Sequence, residues 1–292
     1  MKFVDPKSNI AFKKIFGNDN HQDILISFLN AVLDLQGDRA IADITILDPY
    51  QAPKIAGLKE TMLDVRAHTQ AGVTFIVEMQ VEKQVYFDKR ALYYASKAYV
   101  AQIAKAVDYP KLNQVIFIGI LDFAFFDFPH YLSRHLIFET QTKQQTMQDL
   151  EFNFIELPKF QKAEHELAGV LEQWVYFIKH AEDLTLIPES LAATPAIVTA
   201  FEVAEQHSWT QDELDVYEYW QMEEAGHKDA LAAAQSAGRL EGRLEGKEEG
   251  KKEKQAEIAR KLLAAGVNRD IISQTTGLSQ TDIAQLRGEC KK

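Results

Sequence analysis

The sequence predicts an α/β fold: a mixed central β-sheet flanked by helices, followed by an α-helical C-terminal region. Three observations carry this reading. Strand-like runs fall between residues 40 and 157. A long helical pattern interrupts them after two adjacent alternating segments, and helical periodicity alone governs the chain beyond residue 164.

Each element has its own signal. Ser8 can cap a helix carrying Ile10, Ala11, Phe12, Ile15 and Phe16, which Gly17 ends. A second helix begins near Asn20 or His21, with Ile24, Leu25, Phe28, Leu29, Val32 and Leu33 at helical spacing. The β-branched residues of 40–48 predict a strand that stops at Pro49. In 62–68 and 73–81 apolar and polar residues alternate, and the short connector holding Gly72 predicts an antiparallel hairpin. A helix is predicted from Phe87 to Val107, then a buried apolar strand over 114–123 and two further strands over 133–140 and 150–157. Helices follow over 164–180, 195–206 and 210–226. Glycines 238, 242, 246 and 250 then recur every fourth residue among charges, which predicts a marginal, solvent-exposed charged helix or a linker. Two short amphipathic helices around Gly277 close the chain. The expected organisation is a first domain over 1–160, an acidic helical region over 161–227, the glycine-repeat segment over 228–256 and a helix-turn-helix-like tail over 257–292.

Composition narrows the function classes. The net charge is −11, but its distribution is uneven. Residues 1–163 hold 18 Lys/Arg against 19 Asp/Glu, residues 164–227 hold 1 against 14, and residues 228–292 hold 13 against 10. The acidity lies in the middle segment, so neither end repels a phosphate backbone strongly. The single cysteine, Cys290, excludes a disulfide framework and a thiolate metal cluster. No run is apolar and long enough to span a bilayer, so the expectation is a soluble, cytoplasmic protein without a membrane partner. His21, His68, His130 and His135 show no metal-ligand spacing, and no glycine-rich loop follows a strand.

The hairpin carries the candidate chemistry. Asp64 and Glu78 fall on its polar face, and period-two spacing puts Gln80 beside Glu78. Two carboxylates that converge from neighbouring strands suit Mg²⁺, which takes hard oxygen ligands and keeps waters. From the pattern alone, the same residues also read as the wet face of a half-exposed hairpin. Glu60, four residues before Asp64, is a further candidate ligand or a residue at the strand start. Arg90, Tyr94 and Lys97 share one helical face, opposite much of the alanine stripe, and either contact nucleic acid or face water. Lys13 and Lys14 in the first helix either touch nucleic acid or, as the preferred reading, are solvated lysines.

The segments DPKSNIAFKKIFG, LISFLNAVL, LDVRA, IVEMQV, YFDKRALYYASKAY and VIFIGILDF, spread over residues 3–125, resemble the PD-(D/E)XK nuclease superfamily, and more closely the Rpn family of recombination-promoting nucleases. The resemblance implies a restriction-endonuclease-like core, with Asp64 and Glu78 as metal ligands and Gln80 where the superfamily usually has lysine. Lysine can orient water and offset negative charge, whereas an amide can only orient; the following helix offers a replacement cation in Arg90 or Lys97, with Lys83 and Lys89 as further substitutes. The function implied is a Mg²⁺-dependent DNA endonuclease linked to recombination or mobile elements, with Mn²⁺ as the alternative ion and DNA as partner. Two alternatives remain: a catalytically silent, nuclease-derived DNA-binding or assembly protein, and an RNA-directed nuclease.

The tail resembles a helix-turn-helix core, whose second helix would start near Ser279 and carry Gln280, Thr281, Gln285 and Arg287 outward. The competing reading is a small packing or dimerising hairpin, consistent with a homo-oligomer formed through the C-terminal helices.

Overall fold

A computed structural model describes residues 1–51, 61–103 and 108–289. The chain forms two compact units, Met1–Trp220 and Gln221–Lys292.

In the first unit, helix α1 (Asn9–Phe16) starts where Ser8 Oγ accepts the Ala11 N–H at 3.2 Å, and Gly17 follows its end. A 3₁₀ turn capped by Asn18 leads into α2 (Gln22–Leu33). The strands are β1 (Thr45–Ile46), β2 (Tyr50–Gln51), β3 (Thr61–Met62), β4 (Val65–His68) and β5 (Thr74–Gln80). Helix α3 (Phe87–Ala101), β6 (Val115–Leu121), β7 (Leu132–Ile137) and β8 (Met147–Glu156) follow. Six strands form one sheet in the order β1-β4-β5-β6-β8-β7, parallel where β5 meets β6 and β6 meets β8, antiparallel elsewhere. β2 and β3 make a separate two-stranded ribbon.

The sheet is covered on both faces. Ile76, Val115, Phe117, Leu121 and Phe154 pack against α3 through Phe87, Ala91, Tyr94, Ala95 and Ala98. Val65, Phe75, Val77, Ile116 and Ile118 pack against α1, α2, α4 (Val170–His180) and α6 (Pro195–Ala204), with the short α5 (Glu189–Ala192) preceding α6. Trp174 of α4 lies 5.7 Å from Phe16 and 6.1 Å from Phe28, ring centre to ring centre. The acidic helices therefore share a core with the sheet, and the break drawn at residue 160 separates nothing in the packing.

Several predicted elements are shorter than their sequence signal. The run 40–48 forms a strand only at Thr45–Ile46, since Asn30 takes both the N–H and the C=O of Ile41 through its side chain. The helix expected to reach Val107 ends at Ala101. The helix expected from 164 starts at Val170, after Gly169.

Helix α7 (Gln211–Ala264) is one element, so the glycine repeat is helical rather than a linker. Its residues up to Trp220 belong to the first unit. In the second unit, the end of α7 joins α8 (Arg269–Thr276) and α9 (Gln280–Glu289) around Ala259, Ile272 and Ile283. Gly277 ends α8 at φ +72°, a backbone conformation that side chains disfavour. Ser279 and Asp282 then cap α9 reciprocally: Asp282 Oδ2 accepts the Ser279 N–H and Ser279 Oγ accepts the Asp282 N–H, each at 3.1 Å.

Candidate active site

β4 and β5 pair with Val65 opposite Val77 and Arg66 opposite Ile76, and just before β4 Asp64 sits level with Glu78. The pairing is reinforced by side chains. Glu78 Oε1 accepts the Asp64 N–H at 3.1 Å, and Asp64 Oδ2 accepts the Met79 N–H at 2.9 Å. The two carboxyl groups are thus brought to one place on the sheet.

The hairpin face that holds them is not wet. Along β5 every residue except Gln80 is buried, and Glu78 is only 2% exposed, because α3 covers the face expected to meet solvent. In the sheet Glu78 stands beside Gly119. A Cβ on Gly119 would lie 2.9 Å from Phe154 Cδ1 and 3.1 Å from Phe87 Cε1, so the glycine lets the start of α3 sit tightly against the sheet next to Glu78.

Two cations answer the carboxylates. Lys13 Nζ of α1 lies 3.7 Å from Asp64 Oδ1, and Arg90 Nη2 of α3 lies 3.6 Å from Glu78 Oε2. Arg90 also donates from Nη1 to Gln80 Oε1 at 3.0 Å and to Gln84 Oε1 at 2.8 Å, and from Nε to the Tyr94 hydroxyl at 2.7 Å. Burial raises the Asp64 carboxyl, against the lowering by the Met79 N–H and Lys13. Burial, then the Asp64 charge, pushes the Glu78 carboxyl up to about 8. Burial also raises the Tyr94 hydroxyl.

Asp64, Glu78, Gln80, Arg90 and Tyr94 therefore come together. Tyr94 does so from an unexpected direction: it is buried beside Ala91, Ala95 and Ala98 rather than opposite the alanine stripe. Lys97 is half-buried one turn further along the helix. Glu60 lies outside the described residues. Lys89 sits 5.0 Å over the Tyr86 ring, and Lys14 pairs with Glu213 at 2.6 Å. The residue undervalued from sequence is Lys13. Its signal was faint, since nothing in the spacing of α1 relates it to a strand fifty residues later.

Among the described residues, no group of three or more His, Cys, Asp or Glu is placed to hold a metal ion. The donor set of Asp64 and Glu78 nevertheless fits a hard divalent cation. Such an ion takes one or two carboxylates, and the buried Glu78 carboxyl held beside the half-buried Asp64 carboxyl favours a cation between them. Another buried acid, Glu156, has a different role. It accepts the N–H groups of Phe125 and Phe126 and pairs with Lys159, which fixes the loop after β6.

The family model described as PD-(D/E)XK nuclease family transposase matches residues 6–234, and that described as Rpn/YhgA-like nuclease family, C-terminal HTH domain, matches residues 252–288. Among curated proteins and among solved structures nothing matches the chain. Among the described residues no helix is long and apolar enough to cross a membrane. Nucleases of this superfamily generally use divalent metal ions. The first match spans the sheet, both helical layers and the paired carboxylates, and the second spans the three-helix tail: the chain belongs to the PD-(D/E)XK nuclease family transposases, of the Rpn/YhgA-like kind.

Proposed function

We propose that the protein is a Mg²⁺-dependent endodeoxyribonuclease whose site is Asp64, Glu78 and Gln80, served by Lys13, Arg90 and Tyr94. The observation that carries this is the crossed pair of carboxylates, Glu78 buried and Asp64 half-buried, with one cation on each side. Asp64 and Glu78 would hold the ion, with Mn²⁺ as the substitute. When bound, the ion activates a water and neutralises charge that builds on the phosphate.

The chain's own groups do the rest. The Gln80 amide, its oxygen fixed by Arg90, leaves its NH₂ to orient the attacking water. Arg90 supplies the charge that lysine gives elsewhere in the superfamily, placed close enough to steady an oxyanion. Tyr94 holds the guanidinium in place from the other side.

In the second unit, α9 presents Gln280, Thr281 and Gln285 to solvent, which supports a role for the tail in holding DNA. Between residues 229 and 254, α7 exposes nearly every side chain, Leu231, Leu240 and Leu244 included, which supports pairing with a second copy. The role would be a cytoplasmic one in recombination or element movement.

The test is incubation with supercoiled plasmid, with and without Mg²⁺. Metal-dependent nicking that EDTA stops, and that Asp64→Asn and Glu78→Gln abolish while calorimetry shows their metal binding lost, is the expected result. Nicking by either variant at the parent's rate would remove the site assignment.

A further inference from the structure

The outward side of α3 carries, beside Arg90, groups that the proposed chemistry does not use. Tyr86, Lys89, Arg90 and Tyr93 stand at i, i+3, i+4 and i+7 and so form one stripe, with Tyr86 at the residue before the helix. Tyr86 is 67% and Tyr93 41% exposed, unusually open for rings of this size. Lys89 Nζ lies 5.0 Å from the Tyr86 ring centre, and the Tyr93 ring meets that of Tyr94 at 6.3 Å. Arg90, between the two open tyrosines, is the residue that touches both Glu78 and Gln80. The stripe therefore begins at the rim of the candidate active site.

Open aromatic faces alternating with cations make a surface that stacks bases and holds phosphates. Paired bases have no free face, since each is covered by its neighbours in the duplex. Unpaired nucleotides do. We infer that Tyr86 and Tyr93 are a stacking surface for unpaired nucleotides of the DNA, with Lys89 on the phosphates, so that the enzyme takes single strands or branched and frayed ends in preference to continuous duplex. The position of the cut rests on the nuclease reading above, whereas the stacking itself does not. The rival occupant is a second copy of the chain, because Leu92 beside the stripe is 51% exposed.

The experiment compares the parent with Tyr86→Ala/Tyr93→Ala and Tyr86→Phe/Tyr93→Phe, all in EDTA. It measures anisotropy of a labelled single strand and of the matching blunt duplex, and fluorescence of 2-aminopurine placed in the single strand. The expected result is a parent that binds the single strand at least tenfold tighter than the duplex and quenches 2-aminopurine. The double alanine variant should lose that preference and the quenching with its melting temperature unchanged, and the phenylalanine pair should keep both. Equal single-strand binding by parent and alanine variant would overturn the inference. So would a fall in mass by light scattering in the alanine variant alone, which would assign the tyrosines to self-association. Plasmid nicking run in parallel separates the two readings: tyrosine-dependent stacking without any metal-dependent cleavage would leave this inference standing and remove the nuclease reading.

Discussion

Asp64 and Glu78 are locked to each other through the backbone: the Glu78 carboxylate accepts the Asp64 N–H, and the Asp64 carboxylate accepts the N–H of Met79, next to Glu78 in the chain. Neither side chain can turn away without breaking a hydrogen bond, so the pair is held in place before any ligand arrives. The arrangement has a cost, since the buried Glu78 stands beside the half-buried Asp64, offset by Lys13 and Arg90. Acids shifted in this way cluster at functional sites.

That cost predicts how stability depends on pH without metal. The folded-state value for Glu78, about 8, lies above its ordinary 4.5. Below 4.5 the folded and unfolded chains both hold the proton and the group costs nothing. As pH rises from 4.5 to about 8 the unfolded chain releases the proton while the fold retains it, and stability falls until both are ionised. Asp64 is shifted in the same direction and adds to the slope. In chelator, the melting temperature of the parent should decline across this window relative to that of Glu78→Gln. Divalent ion should raise the parent's melting temperature more at the alkaline end, because ligation needs ionised carboxylates. A parent–variant difference that ignores pH would contradict the burial argument.

Arg90 and Gln80 should behave as one unit, because Arg90 Nη1 donates to Gln80 Oε1 at 3.0 Å. Arg90→Ala is expected to slow cleavage by roughly a hundredfold or more, in line with loss of one charge-stabilising donor. Gln80→Lys alone sets a second cation against Arg90 and should also slow the enzyme. Combined as Gln80→Lys/Arg90→Ala, the lysine takes over the missing charge and should recover part of the rate. A double-mutant cycle measures this directly, and strictly additive losses would show that the two residues do not share a task.

The order of strands and α3 was legible because hairpin alternation and the apolar run of β6 are local signals, as was the Ser8 cap. The convergence of Asp64, Glu78 and Gln80 followed from the same local rule. Burial of Glu78 did not, because period two says which residues share a face but not what covers it, and here α3 does. Tyr94 was misplaced for a related reason: an amphipathic helix was drawn with an apolar and a polar side, yet the buried side includes a tyrosine that bonds Arg90. Lys13 reaches Asp64 only through the packing of α1 against the sheet, which no sequence period encodes.

Lys13 and Lys14, adjacent in α1, should separate by role. Lys13 sits 3.7 Å from Asp64 and lowers its carboxyl, so Lys13→Met should move Asp64 further up and shift the acid limb of the pH–rate profile to higher pH. Lys14 pairs with Glu213 and lies 4.7 Å from the centre of the Trp209 ring, away from the carboxylates. Lys14→Met should cost at most about 1 kcal/mol of stability, as for a partly exposed pair, and leave the profile where it was. An unmoved acid limb in Lys13→Met would remove Lys13 from the site.

Gly119 provides the most distant test of how the fold serves the site. It touches no substrate, but its missing side chain is the space that Phe87 and Phe154 occupy, beside Glu78 in the sheet. In Gly119→Ala the new methyl would meet Phe154 Cδ1 at 2.9 Å and Phe87 Cε1 at 3.1 Å, and one ring must yield. Overpacking of this kind costs about 1–3 kcal/mol, measurable by denaturant titration. If Phe87 yields, the first turn of α3 moves with it and carries Arg90, three residues on, away from Glu78 and Gln80. Cleavage should then fall by more than the loss of folded protein accounts for, towards the rate of Arg90→Ala, and combining the two substitutions should add little. Were Gly119→Ala less stable but fully active at a temperature where it stays folded, Phe154 would be the ring that moves, and the seating of α3 would not depend on this glycine.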